Sequence, residues 1–107
     1  MPSSTATAPT EVTAGFRAVA EPLRLQVLVL LQERELCVCE LRDRLGIAQS
    51  KLSFHLKTLK AASLVHSRQQ GRWVYYCLNL TQVAALEQYL GQFRRESATL
   101  PARPCED

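Results

Sequence analysis

The chain has 107 residues, a net charge of +3 and an apolar fraction of 47%. The length predicts one domain, and the apolar fraction excludes a disordered chain. The longest apolar run, 27–31, is far shorter than a membrane span, and residues 1–10 lack the pattern of a signal peptide. We therefore expect a cytoplasmic protein with no membrane partner, a flexible tail (1–12), a folded domain (13–97) and a second flexible tail (98–107).

The first half of the chain predicts four helices. A short amphipathic helix spans about 13–20, and a second helix begins at Pro22 and runs to about residue 32. The second helix is apolar nearly all round, which predicts a central, buried position. A third helix follows within 36–46 and a fourth spans about 49–62. The short turn between them contains Gly46, which is typical of a helix-turn-helix.

The second half predicts a β-hairpin and a last helix. Residues 64–70 and 72–79 alternate in polarity and meet at Gly71, as in a two-stranded wing. Thr81 can cap a final helix with an apolar stripe. The predicted fold class is mainly α (α+β): a winged helix-turn-helix of about five helices and a two-stranded β wing. Apolar stripes on the first and last helices of so small a chain predict a homodimer.

The charge distribution and the fourth helix indicate double-stranded DNA as a partner. Residues 42–72 carry seven basic side chains and one acid, which suits a phosphate backbone or, alternatively, a solvated face. Phe54 is expected to face outward, against thymine methyl groups in a major groove or against a neighbouring element. His55 has two open roles, a hydrogen-bonded core residue or a DNA contact. The predicted DNA contacts are Gln49, Ser50, Lys51, Ser53, Phe54, His55 and Lys57 on the helix, with Arg68 and Arg72 in the wing, unless the two arginines are only solvated charges.

A cysteine occupies a helix cap near the start of the third helix. Leu36, Cys37, Glu40 and Leu41 fit the N′, N-cap, N3 and N4 positions of a capping box with a hydrophobic staple. Ser, Thr, Asp or Asn is the usual N-cap, so a cysteine in an otherwise regular frame points to function. The alternative is a small packing residue.

Cys39 follows two residues later, and residues i and i+2 point about 200° apart on a helix. Because an N-cap lies outside the helix, Cys37 can still turn toward Cys39, and two thiols together select a soft ion. The helix N-terminus is expected to lower both thiol pKa values and favour thiolates. A third sulfur can come from Cys105 or Cys77, or be lacking. We expect no cofactor for folding, and no catalytic residue pattern is present.

These motifs together resemble the ArsR/SmtB family of arsenic- and metal-responsive repressors. Residues 35–41, ELCVCEL, resemble the E-L-C-V-C-[DE]-L box of its arsenic-responsive branch, and residues 49–59 resemble its Q-S-x-x-S-x-H-L-x-x-L helix. The resemblance implies a homodimeric repressor on operator DNA, released by arsenite or antimonite. The As(III) or Sb(III) would bind Cys37 and Cys39, and Cys105 is the candidate for a third ligand if one is used. Two alternatives stay open: a sensor of soft divalent cadmium, lead or mercury, and a thiol redox switch.

The sequence departs from the family pattern in three respects. Arg42 lies where the arsenic branch often has a third cysteine. Ser63 replaces the usual Gly before Leu64, so we expect a strained or reshaped backbone there. The last helix, 81–95, has no His and only Glu87 as an acid, so the zinc site of the zinc-sensing branch is not expected.

Overall fold

The computed structural model describes residues 9–104, and five helices and a small antiparallel sheet make up the fold. This architecture confirms the predicted winged helix-turn-helix. Within the described residues, no helix is long and apolar enough to cross a membrane. The elements in chain order are α1 Pro9–Val19, α2 Pro22–Glu33, β1 Leu36–Cys37, α3 Val38–Leu45, α4 Gln49–Ala61, β2 Val65–Gln70, β3 Trp73–Leu78 and α5 Leu80–Arg95.

The first two helices differ from their predictions. Helix α1 begins at Pro9, so residues 9–12 belong to the helix rather than to the N-terminal tail, and Val12 is buried in the core. Helix α2 is not buried all round, because only one side of it packs against the other elements. Val27 and Leu31 are buried on that side, whereas Leu25 and Val29 are exposed.

The sheet has three strands rather than the predicted two. The predicted hairpin is formed by β2 and β3, and Gly71 takes a left-handed φ of 61° in the loop that joins them. Strand β1 adds to the free edge of β3, with Leu36 opposite Tyr76 and Cys37 opposite Tyr75. A two-residue strand is too short to show alternation, which is why the sequence did not indicate it. The consequence is that the cysteine segment is part of the wing sheet.

The core fixes the direction of α4. Leu52, Leu56 and Leu59 on one side of α4 are almost fully buried, together with Leu41 of α3. Gly46 ends α3 in the left-handed conformation, with φ of 65°, as the predicted turn requires. Burial of the leucines leaves the opposite face of α4 toward solvent.

Helices α1 and α5 pack closely at Gly15. A Cβ on this residue would lie 2.8 Å from Cδ2 of Leu86, so a larger residue here would have to displace the Leu86 side chain. Further along the same contact, the rings of Phe16 and Tyr89 lie 6.2 Å apart. Leu90 and Phe93, which continue the predicted apolar stripe of α5, are 57% and 65% exposed. Val83 at its start is also exposed, so Leu86 is the one residue of this stripe that is buried within the described chain.

Candidate functional site

Cys37 is both the last residue of β1 and the N-cap of α3. Its backbone is extended, with φ of −81° and ψ of 163°, and its N–H donates to Oε1 of Glu40 at 3.1 Å. The Cys37 sulfur takes the position from which a capping oxygen would accept the Glu40 N–H. Leu36 and Leu41 are buried at the two positions of a hydrophobic staple. The predicted capping box is thus confirmed, with a thiol in place of a hydroxyl or carboxylate.

The expected thiolate at Cys37 is wrong for the free protein. Cys37 is only 6% exposed, and this burial raises the pKa of its thiol. The neighbouring Cys39 thiol raises the pKa further. The Glu40 N–H at the helix N-terminus lowers it, as expected for a helix dipole, but the loss of hydration outweighs that effect. Cys37 is therefore a neutral thiol at neutral pH.

The structure brings two of the predicted ligands together. Cys39 is the second residue of α3, is half-buried, and lies near enough to Cys37 to raise the pKa of the Cys37 thiol. Both are free thiols, as is Cys77, which lies opposite His66 in the wing. Cys105 lies outside the described residues, so its role stays a prediction. In the described part of the chain, no three His, Cys, Asp or Glu side chains form a metal-holding group.

The outward face of α4 carries the side chains that the sequence assigned to it. Phe54 is 63% exposed, so it does not pack into the core. Gln49 is the first residue of the helix. Its Oε1 accepts a hydrogen bond from Nη1 of Arg42 at 3.2 Å, and this bond orients the Gln49 side-chain amide. Contact of this face with DNA stays a prediction. The other predicted helix contacts that are exposed are Ser50, Lys51, Ser53 and Lys57.

His55 lies on the inner side of α4, in contrast to its neighbours. It is 6% exposed, and its Nδ1 lies 3.1 Å from Nη1 of Arg24. Because a guanidinium only donates, Nδ1 must accept this bond. Of the two roles that the sequence left open, this geometry favours the hydrogen-bonded core residue and corrects the inclusion of His55 among the DNA contacts.

The two wing arginines have different environments. Arg72 is exposed, and its guanidinium lies 5.1 Å from the centre of the Trp73 ring. Arg68 instead donates to both carboxylate oxygens of Glu35 at 2.8 Å and lies 4.7 Å from the Tyr75 ring. The Arg72 guanidinium is thus available to bind a phosphate. To do the same, Arg68 would have to divide its N–H donors between the phosphate and Glu35, or break its ion pair with Glu35.

Comparison with known proteins identifies this arrangement. A profile of bacterial regulatory proteins of the arsR family matches residues 21–67, which contain the cysteine pair and α4. The arsenical resistance operon repressor of Bacillus subtilis is 42% identical over 72 residues, covering 66% of this chain and 69% of that protein. The chain belongs to the arsR family. The predicted membership of ArsR/SmtB is confirmed.

Other transcriptional regulators are similar to this chain in sequence and fold. The transcriptional activator HlyU of Vibrio cholerae is 42% identical over 75 residues, covering 70% of this chain and 69% of that protein. Its solved structure superimposes with a TM-score of 0.67 at 37% identity, covering 78% of this chain and 91% of that chain. A possible ArsR-family regulator from Mycobacterium bovis, described as a homodimeric winged helix-turn-helix domain, gives a TM-score of 0.65 at 27% identity, covering 87% and 89%.

Family and fold make this chain a DNA-binding transcriptional regulator and not an enzyme, as predicted. Sequence reasoning missed two groups near the site, the Glu35 carboxylate and the Arg24 guanidinium. Glu35 lies inside the cysteine motif, but nothing in a linear sequence pairs it with Arg68. Arg24 lies outside the basic segment 42–72 and meets α4 only through the folding of α2.

Proposed function

We propose that the protein is a cytoplasmic transcriptional repressor that binds operator DNA as a homodimer and is released by trivalent arsenic or antimony. The observation that carries the proposal is the position of Cys37, which caps α3, pairs with the wing strand and lies beside Cys39. Ser, Thr, Asp or Asn is the usual residue at such a cap, so a thiol there departs from the local rule in a way that a binding function accounts for. Relatives named as arsenical resistance operon repressors support arsenic as the inducer.

The binding chemistry requires only the two thiols. Arsenite at neutral pH is As(OH)3. Cys37 and Cys39 each replace one hydroxyl group, so that two As–O bonds break and two As–S bonds form. Each thiol proton leaves with a hydroxyl group as water, and arsenic stays trivalent. The third position of arsenic keeps a hydroxyl group or takes the Cys105 sulfur. Because the thiol protons leave in water, a raised pKa of the Cys37 thiol does not prevent binding at equilibrium.

The position of Cys37 also couples the bound ion to the elements proposed to contact DNA. Drawing Cys37 toward Cys39 changes the first turn of α3, which packs against α4. The same movement of Cys37 would disturb its backbone pairing with Tyr75 in the wing. Release requires that the ion bind the DNA-free form more tightly, by a coupling of about 1–3 kcal/mol.

Two exposed surfaces support the rest of the proposal. The outward face of α4 offers an amide, hydroxyls, lysines and Phe54, a set that suits base edges and phosphates of a major groove. The uncovered apolar end of α5 supports a homodimer, as in the relative from Mycobacterium bovis. Two copies would place their α4 helices in half-sites about one helical turn, ~34 Å, apart.

The test is a titration of the protein on a duplex that the wild-type protein selects from a random pool. We expect arsenite to release the wild-type protein, and Cys37→Ser or Cys39→Ser to bind the duplex but not to respond. Cys77→Ser is the matched control and should respond normally, and Cys105→Ser should weaken the response only if Cys105 is a ligand. A reporter gene behind the same duplex distinguishes a repressor from an activator.

The inducer assignment fails if the double variant Cys37→Ser, Cys39→Ser leaves the duplex at the wild-type arsenite concentration. Release by cadmium, lead or mercury but not by arsenite would favour a divalent-metal sensor. Release by peroxide, reversed by a reductant, would favour a thiol redox switch.

A further inference from the structure

A groove beside the exposed face of α4 has no assigned role. It lies between α1, the start of α2 and α4, and has a volume of about 490 Å3. Three cationic side chains line it, Arg17, Arg24 and Lys57, and none of its lining residues is acidic. Alanines of α1 and α4 form much of its wall and leave room for an apolar group as well as for an anion.

Arg24 is fixed in this groove before any ligand arrives. Its Nε donates to the Ala18 carbonyl oxygen at 2.6 Å, and its Nη1 donates to Nδ1 of His55 at 3.1 Å. These bonds use two of the five N–H groups of the guanidinium, so three stay available. Because its orientation is already set, Arg24 would lose little conformational freedom on binding an oxyanion. Glu21, at the start of α2, caps this helix by accepting the Arg24 backbone N–H at 3.0 Å.

We propose that this groove binds a backbone phosphate of the same DNA duplex that α4 reads, with Arg17, Arg24 and Lys57 as its cations. The inference rests on the DNA-binding part of the proposed function. Phe54 and Lys57 belong both to the groove and to the outward face of α4, so a duplex lying on that face passes the groove. A sugar-phosphate chain matches the lining, because deoxyribose can pack on the alanines while the phosphate meets the guanidinium groups.

A phosphate contact of this kind carries no sequence information. It fixes the orientation of the protein on the duplex and raises affinity for every sequence alike. It also releases bound counterions, which makes its contribution fall as salt concentration rises. Both properties can be measured on one exposed residue, Arg17, whose replacement leaves the anchoring of Arg24 intact.

The experiment compares Arg17→Gln with Arg103→Gln, which removes the same charge from the C-terminal segment. Fluorescence anisotropy measures binding to a selected duplex and to a random-sequence duplex between about 50 and 200 mM salt. We expect Arg17→Gln to weaken both complexes by the same factor and to reduce the slope of log K against log salt by about 0.9 per lost phosphate contact. Arg103→Gln should change neither quantity.

A third variant separates this proposal from the function on which it rests. Lys51 lies on α4 away from the groove. Lys51→Gln should therefore weaken DNA binding whether or not the groove binds a phosphate. If Lys51→Gln weakens binding and Arg17→Gln behaves like Arg103→Gln, the groove proposal is overturned while the DNA-reading face stands. If no variant changes binding, the assignment of α4 fails as well. Binding of an acidic peptide that depends on Arg17, with DNA binding independent of Arg17, would also overturn the phosphate site.

Discussion

Glu35 and Arg68 form a two-bonded ion pair that ties the cysteine segment to the wing. Both carboxylate oxygens of Glu35 accept from the guanidinium at 2.8 Å, which holds the pKa of the Glu35 carboxyl below its ordinary value. The same guanidinium lies over the ring of Tyr75, whose backbone is paired with Cys37. Arg68 thus contacts both Glu35, two positions before Cys37, and Tyr75, the strand residue that pairs with Cys37.

The first prediction is that this ion pair carries part of the response to arsenite. Glu35→Gln frees Arg68 from its charged partner without touching either thiol. We expect arsenite to bind with unchanged stoichiometry, but the ratio of DNA affinities without and with arsenite to fall several-fold. Anisotropy titrations with and without saturating arsenite measure this ratio. Glu33→Gln, an equal charge loss at the exposed end of α2, is the control, and an unchanged ratio in Glu35→Gln would show that the pair is not part of the response.

The second prediction concerns stability at alkaline pH. Burial raises the pKa of the Cys37 thiol above its ordinary value of 9.0, so the unfolded chain ionises at lower pH than the folded chain. The contribution of this thiol to stability is therefore complete below about pH 9 and is lost as pH rises through the raised pKa. Urea unfolding in a reductant should show the free energy of unfolding falling less steeply above pH 9 in Cys37→Ser than in the wild type.

The same variant tests the cap itself. At neutral pH a serine at this position offers a better acceptor to the Glu40 N–H, so Cys37→Ser should be more stable than the wild type by up to about 1 kcal/mol. Parallel pH profiles for the two proteins would contradict the raised pKa, and a less stable variant at neutral pH would contradict the cap assignment.

The third prediction concerns Ser63, which follows α4 with a left-handed φ of 63°. Its N–H donates to the Lys60 carbonyl at 2.9 Å, and the Leu64 N–H donates to the Leu59 carbonyl at 3.0 Å, the two bonds of a Schellman motif. Glycine adopts this conformation without the steric cost of a Cβ, so Ser63→Gly should raise stability by about 0.5–1 kcal/mol. Thermal unfolding measures the change. Ser53→Gly, inside α4, should lower stability instead, and a Ser63→Gly protein that is no more stable than the wild type would refute the strain.

The fourth prediction concerns the dimer. Phe93 is 65% exposed and contacts the Tyr89 ring edge-on at 5.7 Å between ring centres, so it continues the apolar face of α5 without holding the monomer core together. Phe93→Asp should give a folded monomer with weakened operator binding, since one copy reads only one half-site. Light scattering and circular dichroism check assembly and folding. Leu100→Asp, in the C-terminal segment, is the control, and a Phe93→Asp dimer with normal operator affinity would rule out this interface.

Local sequence determined much of this protein. Gly46 and Gly71 lie where left-handed turns are needed, and the spacing of Leu52, Leu56 and Leu59 set the inner face of α4. The capping-box frame around Cys37 was also readable, because all of its members lie within six residues. These features depend on neighbours in the chain, so their physical cause is present in the sequence.

Tertiary structure alone decided the features that join distant segments. The pairing of Cys37 with Tyr75, the ion pair of Glu35 with Arg68 and the contact of Arg24 with His55 each span more than thirty positions. The pKa of Cys37 belongs here too, because burial by the surrounding fold outweighs the local effect of the helix N-terminus. The hydration of a side chain and its long-range contacts depend on which surfaces pack together in the fold. A local sequence pattern does not indicate this packing.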